Sequence, residues 1–245
     1  MKTKRFTLAF LFTAVFGLLN TQHLPAQVQK NALSNHKQES GQVFPKANGR
    51  SPIIDTAFPG GNVIIEKIVE DTVFFRPDLR DTSQDWFYWC FSIKNTSGKK
   101  WFFKATKPNV LTNLGAAFST DGGFEWNWID QENHLGPDLF SFEFSGNGNP
   151  VMLSMGMAYT QKNFDRFMWK YRESDHIRKS VLSITRSGRE VEQLVISNFD
   201  VQPKVRVLFT ARAHAGEMMS NYIIEGMVDT LLSGTTAMED LLENV

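Results

Sequence analysis

Two residues in this chain combine donor chemistry with a telling position. They sit in Ala211-Arg212-Ala213-His214-Ala215-Gly216-Glu217. An imidazole and a carboxylate three residues apart can reach one Zn²⁺ through nitrogen and oxygen bonds of about 2.0–2.2 Å. The spacing His-x-x-Glu is weak as a signal on its own; its place in the chain raises it. Lys204–Thr210 before it is nearly all apolar and β-branched at its centre, which predicts a buried strand. Glu217–Leu232 after it repeats apolar residues at Met219, Ile223, Met227 and Leu231, which predicts a helix. In open α/β sheets, ligands bind beyond the carboxyl ends of the strands, which is where His214 falls. The competing reading puts Glu217 in the first helical turn, favoured there by the macrodipole, and makes His214 a plain loop residue.

Two other features could carry function. Ser119-Thr120-Asp121-Gly122-Gly123-Phe124-Glu125-Trp126 fits the Ser-x-Asp-x-Gly-x-x-Trp hairpin pattern of sialidases and related propellers. Propellers repeat that motif from blade to blade; here it occurs once, which favours a hairpin staple closed by Asp121. The run Trp86, Phe87, Tyr88, Trp89, Phe91 could line a carbohydrate-binding face. Alternation places Trp86, Tyr88 and Cys90 on one side and Phe87, Trp89 and Phe91 on the other. One side must be core, and core packing is the preferred reading for the run. Cys90 is the single cysteine, so a disulfide scaffold and a cysteine-rich zinc site are both excluded.

The elements that must position these residues fall into two textures. From Ile53 to about Pro150, short strand-like runs alternate with Gly, Asn, Asp and Pro clusters, the pattern of an antiparallel β-sandwich. After about Met155 the pattern changes. Thr160–Arg172 places Phe164, Phe167, Met168 and Tyr171 on one helical face. Ser180–Thr185 and Glu190–Ser197 read as a hairpin across Arg186-Ser187-Gly188-Arg189. With the strand and helix around His214 they resemble the opening of an α/β domain.

Residues 1–26 have the order of a secretory signal peptide: Lys2, Lys4 and Arg5, the apolar run Thr7 to Leu19, then a cleavage site after Ala26. An uncleaved anchor is the alternative. Residues 27–52 form a polar leader. The full chain of 245 residues has 26 basic and 26 acidic side chains; without those three N-terminal charges, 23 basic residues face 26 acidic ones. No basic stripe survives, so no nucleic-acid partner is expected, and no later run is long enough to span a membrane. The chain is expected to be secreted or periplasmic.

Residues 204–233 resemble the zinc-binding segment of the M14 zinc carboxypeptidases, in the branch that includes the cytosolic-type enzymes. That branch has an apolar strand, then Arg-x-His-x-Gly-Glu, then a helix carrying Glu-Gly. Ser183–Ile196 is similar to the family's first hairpin, and Met157–Met168 to the helix that opens the catalytic domain. The β-rich region before it, with Phe118-Ser119-x-Asp121-Gly122 and Trp126, resembles the N-terminal sandwich of that branch.

The resemblance implies that His214 and Glu217 are the first two ligands of a Zn²⁺ cofactor and that the substrate is a peptide or protein cut at its C-terminus. It implies an α+β, multidomain fold: a β-sandwich over 53–155, then the first part of an α/β zinc-carboxypeptidase domain over 156–245. A catalytic zinc needs three protein ligands and one open position. The chemistry also needs a positioned carboxylate to take a proton. The family's second histidine, its substrate-binding arginine and its general base have no match after Glu217. His36, His134 and His176 lie upstream, and Glu225, Glu239 and Glu243 match none of the family's catalytic positions. The general base and third ligand are therefore expected beyond Val245, and this chain alone is expected to be inactive. The pancreatic-type branch has an arginine where this chain has Gly216, which argues against pancreatic-type specificity. The alternative function is a non-catalytic secreted β-sandwich module that binds glycan or protein.

Overall fold

The computed structural model describes residues 9–11, 42–43, 52–79, 87–94, 96 and 98–244. The signal peptide and leader expected over 1–52 lie outside the described residues, apart from two strands and Pro52. These strands are β1 (Ala9–Leu11) and β2 (Gln42–Val43). The chain divides into two compact units. One runs to Ala158; the other joins β1 to the chain from Tyr159 onward.

The first unit holds two sheets. One comprises β2, β3 (Ile53–Asp55), β6 (Cys90–Lys94), β8 (Ala117–Ser119), β9 (Asn127–Trp128) and β12 (Val151–Ser154), in the order β2-β3-β6-β12-β8-β9. The other comprises β4 (Ile64–Val69), β5 (Thr72–Arg76), β7 (Lys100–Ala105), β10 (His134–Gly136) and β11 (Leu139–Glu143), in the order β10-β11-β7-β5-β4. Side chains from both sheets enter one apolar core. Phe140 of β11 stacks on Phe103 of β7 at 4.8 Å and on Trp89, next to β6, at 5.9 Å. Phe91 of β6 lies 5.9 Å from Phe103.

Two expectations change here. Pairing is not wholly antiparallel, because β5 and β7 run parallel. Between them the chain crosses to the other sheet to make β6, and it returns in the direction it left. The aromatic run also does not alternate strictly. Tyr88, Trp89, Cys90 and Phe91 are all buried, and only Phe87 is exposed; Trp86 lies outside the described residues. The Tyr88 hydroxyl donates to the Gly60 carbonyl, and Trp89 Nε1 to the Val110 carbonyl, so both rings are fixed in the interior rather than offered to a sugar.

The Asp121 hairpin forms as a staple between β8 and β9. Asp121 accepts the Ser119 hydroxyl and the N–H groups of Phe124 and Glu125. Gly123 sits at φ 91°, and Trp126 Nε1 closes onto its carbonyl at 3.2 Å. Desolvation pushes the Asp121 carboxyl up, but the bonds from Glu125, Ser119 and Phe124 outweigh it and hold it below its usual value.

The second unit contains α1 (Gln161–Lys170), β13 (Ile177–Ile184), β14 (Glu190–Ile196), β15 (Leu208–Thr210), α2 (Met219–Leu231) and α3 (Thr236–Leu242). Asn163 closes the first turn of α1 by accepting both the N–H and the hydroxyl of Thr160. β13 and β14 form the expected antiparallel hairpin; Gly188 adopts φ 76° at its turn. The sheet order is β13-β14-β1-β15, with β1 antiparallel to β14 and parallel to β15.

Two expectations about the elements flanking His214 are corrected. The strand expected over Lys204–Thr210 shrinks to three residues, and Leu208 is 60% exposed. Among the described residues β15 pairs on one side only, with β1, and its other side is open. On α2 the stripe Met219, Ile223, Met227, Leu231 is not the buried one. Asn221, Ile224 and Val228 face inward, while Ile223 is 65% exposed. Ile223, Met227 and Leu231 of that stripe instead line an apolar groove of about 520 Å³ with Val207 and Phe209. Among the described residues, no helix is long and apolar enough to cross a membrane.

Candidate metal centre

β15 ends at Thr210 and α2 begins at Met219, so the Arg212–Glu217 segment is a loop at the carboxyl end of a strand. Glu217 lies ahead of the helix, not in its first turn. Its carboxylate reaches back to His214: Oε1 is 2.7 Å from Nδ1, and Oε2 accepts the His214 N–H at 3.0 Å. The Glu217 N–H returns a bond to the His214 carbonyl at 3.2 Å, which closes a tight local ring. Both side chains are open to solvent, 61% and 48% exposed.

The imidazole bond, and then the His214 N–H, hold the Glu217 carboxyl below its ordinary range. An ionised carboxylate only accepts, so Nδ1 must carry the proton that joins the pair. The arrangement suits a metal as far as it goes. One nitrogen and one carboxylate oxygen lie 2.7 Å apart on a solvent-exposed loop, and both are donor types that zinc accepts. A tetrahedral ion with bonds of about 2.0–2.2 Å requires its ligand atoms about 3.4 Å apart. The present 2.7 Å must therefore open by about 0.7 Å, and the Nδ1 proton must leave. Both changes are open to exposed side chains. Among the described residues, no group of three or more His, Cys, Asp or Glu could hold an ion, so the third donor is not found there. The Nδ1 of His176 faces the Ser197 carbonyl, and His134 belongs to the first unit; neither is assigned to the pair.

Sequence reasoning missed what braces this loop. Arg212 adopts φ 61°, the left-handed region uncommon for residues with a Cβ. Its Nη1 donates to the Tyr159 carbonyl and its Nη2 to the Ala215 carbonyl at 3.3 Å. Tyr159, just before α1, donates its hydroxyl to Glu225 of α2 at 2.6 Å and meets the Tyr222 ring edge-on. Burial pushes Glu225 above its ordinary value, against the lowering effect of the Tyr159 bond. One turn on, Asp229 accepts from Lys170 and Tyr171 at the end of α1. No local signal links Tyr159 to Arg212, because the two are 53 residues apart.

No family model matches the chain, and no curated protein matches it. Solved structures do. A metallo-carboxypeptidase from Burkholderia cenocepacia superposes with a TM-score of 0.65 at 17% identity, over 79% of this chain and 53% of that one. A metallo-carboxypeptidase from Pseudomonas aeruginosa, in complex with (2-guanidinoethylmercapto)succinic acid, gives 0.60 at 20% identity, over 78% and 52%. The chain spans about half the length of the solved structures it matches. Over that shared part, the chain has the fold of the metallo-carboxypeptidases.

Proposed function

We propose that the chain is part of an exported zinc metallo-carboxypeptidase that removes residues from the C-terminus of peptides or proteins. In this reading the first unit is an accessory β-sandwich, the second unit is the first part of the catalytic domain, and residues 1–26, which include β1 between β14 and β15, direct export. His214 and Glu217 hold the metal. The observation that carries the proposal is their convergence at 2.7 Å, on the loop that follows β15 in a metallo-carboxypeptidase fold.

Zinc held there would supply Lewis-acid polarisation of a scissile carbonyl and activation of a water. The chain's own residues do the holding. Ionised Glu217 brings a negative charge to the point where a cation would bind, and its bond to Nδ1 keeps the imidazole turned toward that point. His214 and Glu217 supply two of the three protein ligands that a catalytic zinc needs. Against the glycan-binding alternative, Trp89 and Phe91 are buried in the core of the first unit.

The test is equilibrium dialysis against zinc for the parent, His214→Ala and Glu217→Ala, with bound metal counted by mass spectrometry. The parent should take up one zinc and each variant markedly less. Equal uptake by all three would remove the metal from this loop.

A further inference from the structure

We propose that Arg212 is the positioning residue of the metal centre: its guanidinium sets the backbone on which His214 and Glu217 stand. The proposal rests on the zinc reading above and adds a residue to it.

The geometry is that of a clamp. The fork of Arg212 spans two carbonyls, one on Tyr159 and one on Ala215. Ala215 lies between the two ligand residues, so a donor fixed there limits how far either Cα can drift. The other end of the clamp is anchored. Tyr159 is buried, its hydroxyl is bonded to Glu225, and its ring packs against Tyr222. Both partners lie on α2, the helix that follows Glu217. The loop is thus tied to the entrance of α1 and, through Tyr159, to α2.

Residue type and backbone agree with this role. A guanidinium presents parallel donors in a rigid plane, whereas a lysine ammonium would reach one carbonyl and leave the other without that bond. Bonds from a charged donor are also stronger than neutral ones. Arg212 pays a conformational penalty at φ 61°, and such strain persists only where surrounding contacts fix it. Here the two carbonyls are among those contacts. The clamp matters because an ion must separate Nδ1 from Oε1 without letting the backbone spread. Side chains can make that small opening only if the Cα positions stay fixed.

The experiment compares Arg212→Ala and Arg212→Lys with the parent, each as the 245-residue chain, in two measurements. The first is amide hydrogen exchange without metal at His214 and Glu217, whose N–H groups bond within the loop. In Arg212→Ala these two amides should exchange about tenfold faster, while the interior of α2 keeps its protection. The second is zinc affinity by chelator competition. It should fall about tenfold in Arg212→Ala, with Arg212→Lys in between, the size typical of lost ligand support. Parent-like exchange at both amides in a folded variant overturns the proposal. Faster exchange with unchanged zinc affinity also overturns it, since Arg212 would then brace the loop without serving the ligands. If Arg212→Ala fails to fold, Arg212→Lys carries both arms by the same criteria. A parent that takes up no zinc overturns the metal reading itself, and the exchange arm then decides the brace alone.

Discussion

Replacing Phe140 by alanine tests whether the two sheets of the first unit share one core. Phe140 is fully buried and stacked between Phe103 of its own sheet and Trp89 beside the other. Truncating a buried phenylalanine costs about 3–5 kcal/mol in transfer and cavity terms together. The aromatic pairings push the value toward the upper half of that range. With a urea dependence of about 2 kcal/mol per molar, a loss of about 4 kcal/mol moves the unfolding midpoint down by about 2 M. Tryptophan fluorescence is the natural probe, because Trp89 lies against the residue removed. Leu135→Ala, at a site 46% exposed, is the control and should shift stability by no more than about 0.5 kcal/mol. If Phe140→Ala and Leu135→Ala have the same midpoint, the shared core does not exist as described.

Two further outcomes concern titrating groups. The Asp121 carboxyl is held below its usual value in the folded state, so its stabilisation is present above the unfolded value of 3.8 and is lost as pH falls through the folded one. Asp121→Asn should therefore cost about 1 kcal/mol or less at neutral pH, solvent screening keeping it small, and the difference from the parent should vanish in acid. Urea melts at pH 7 and pH 2.5 measure both. Glu225 has the opposite sign. Its carboxyl is raised by burial, so the stability it favours is complete below 4.5 and declines as pH rises through the folded value. The Tm of Glu225→Gln should therefore rise relative to the parent from pH 4 to pH 8; a constant difference would contradict that.

Structure set by local signals is legible in the chain, and structure set by long-range pairing is not. The hairpin over 183–196 was legible because apolar alternation flanks a Ser-Gly turn, and turn chemistry is local. Asp121 was legible for the same reason, since all its partners lie within four residues. The parallel pairing of β5 and β7 was not, because it depends on a crossover through the other sheet. On α2, periodicity offered two apolar stripes and could not say which meets the interior. Met219-Ile223-Met227-Leu231 looked stronger, yet Ile224 and Val228 are the buried pair. Lys204–Thr210 has the composition of a central strand, but burial depends on neighbours that composition does not reveal. At the candidate site, residue types and their place between a strand and a helix single out His214 and Glu217. The Arg212 clamp was invisible, since its acceptors are backbone carbonyls that carry no residue signature.

Whether His214 and Glu217 share a zinc ion is tested most directly by X-ray absorption at the zinc edge, on the zinc-loaded parent, His214→Ala and Glu217→Ala. The parent should show nitrogen and oxygen scatterers at about 2.0–2.2 Å with the outer-shell pattern of one imidazole. That pattern should disappear in His214→Ala, and the oxygen shell should change in Glu217→Ala. An imidazole pattern that survives in His214→Ala, or a sulfur shell near 2.3 Å, would place the metal elsewhere and contradict the account.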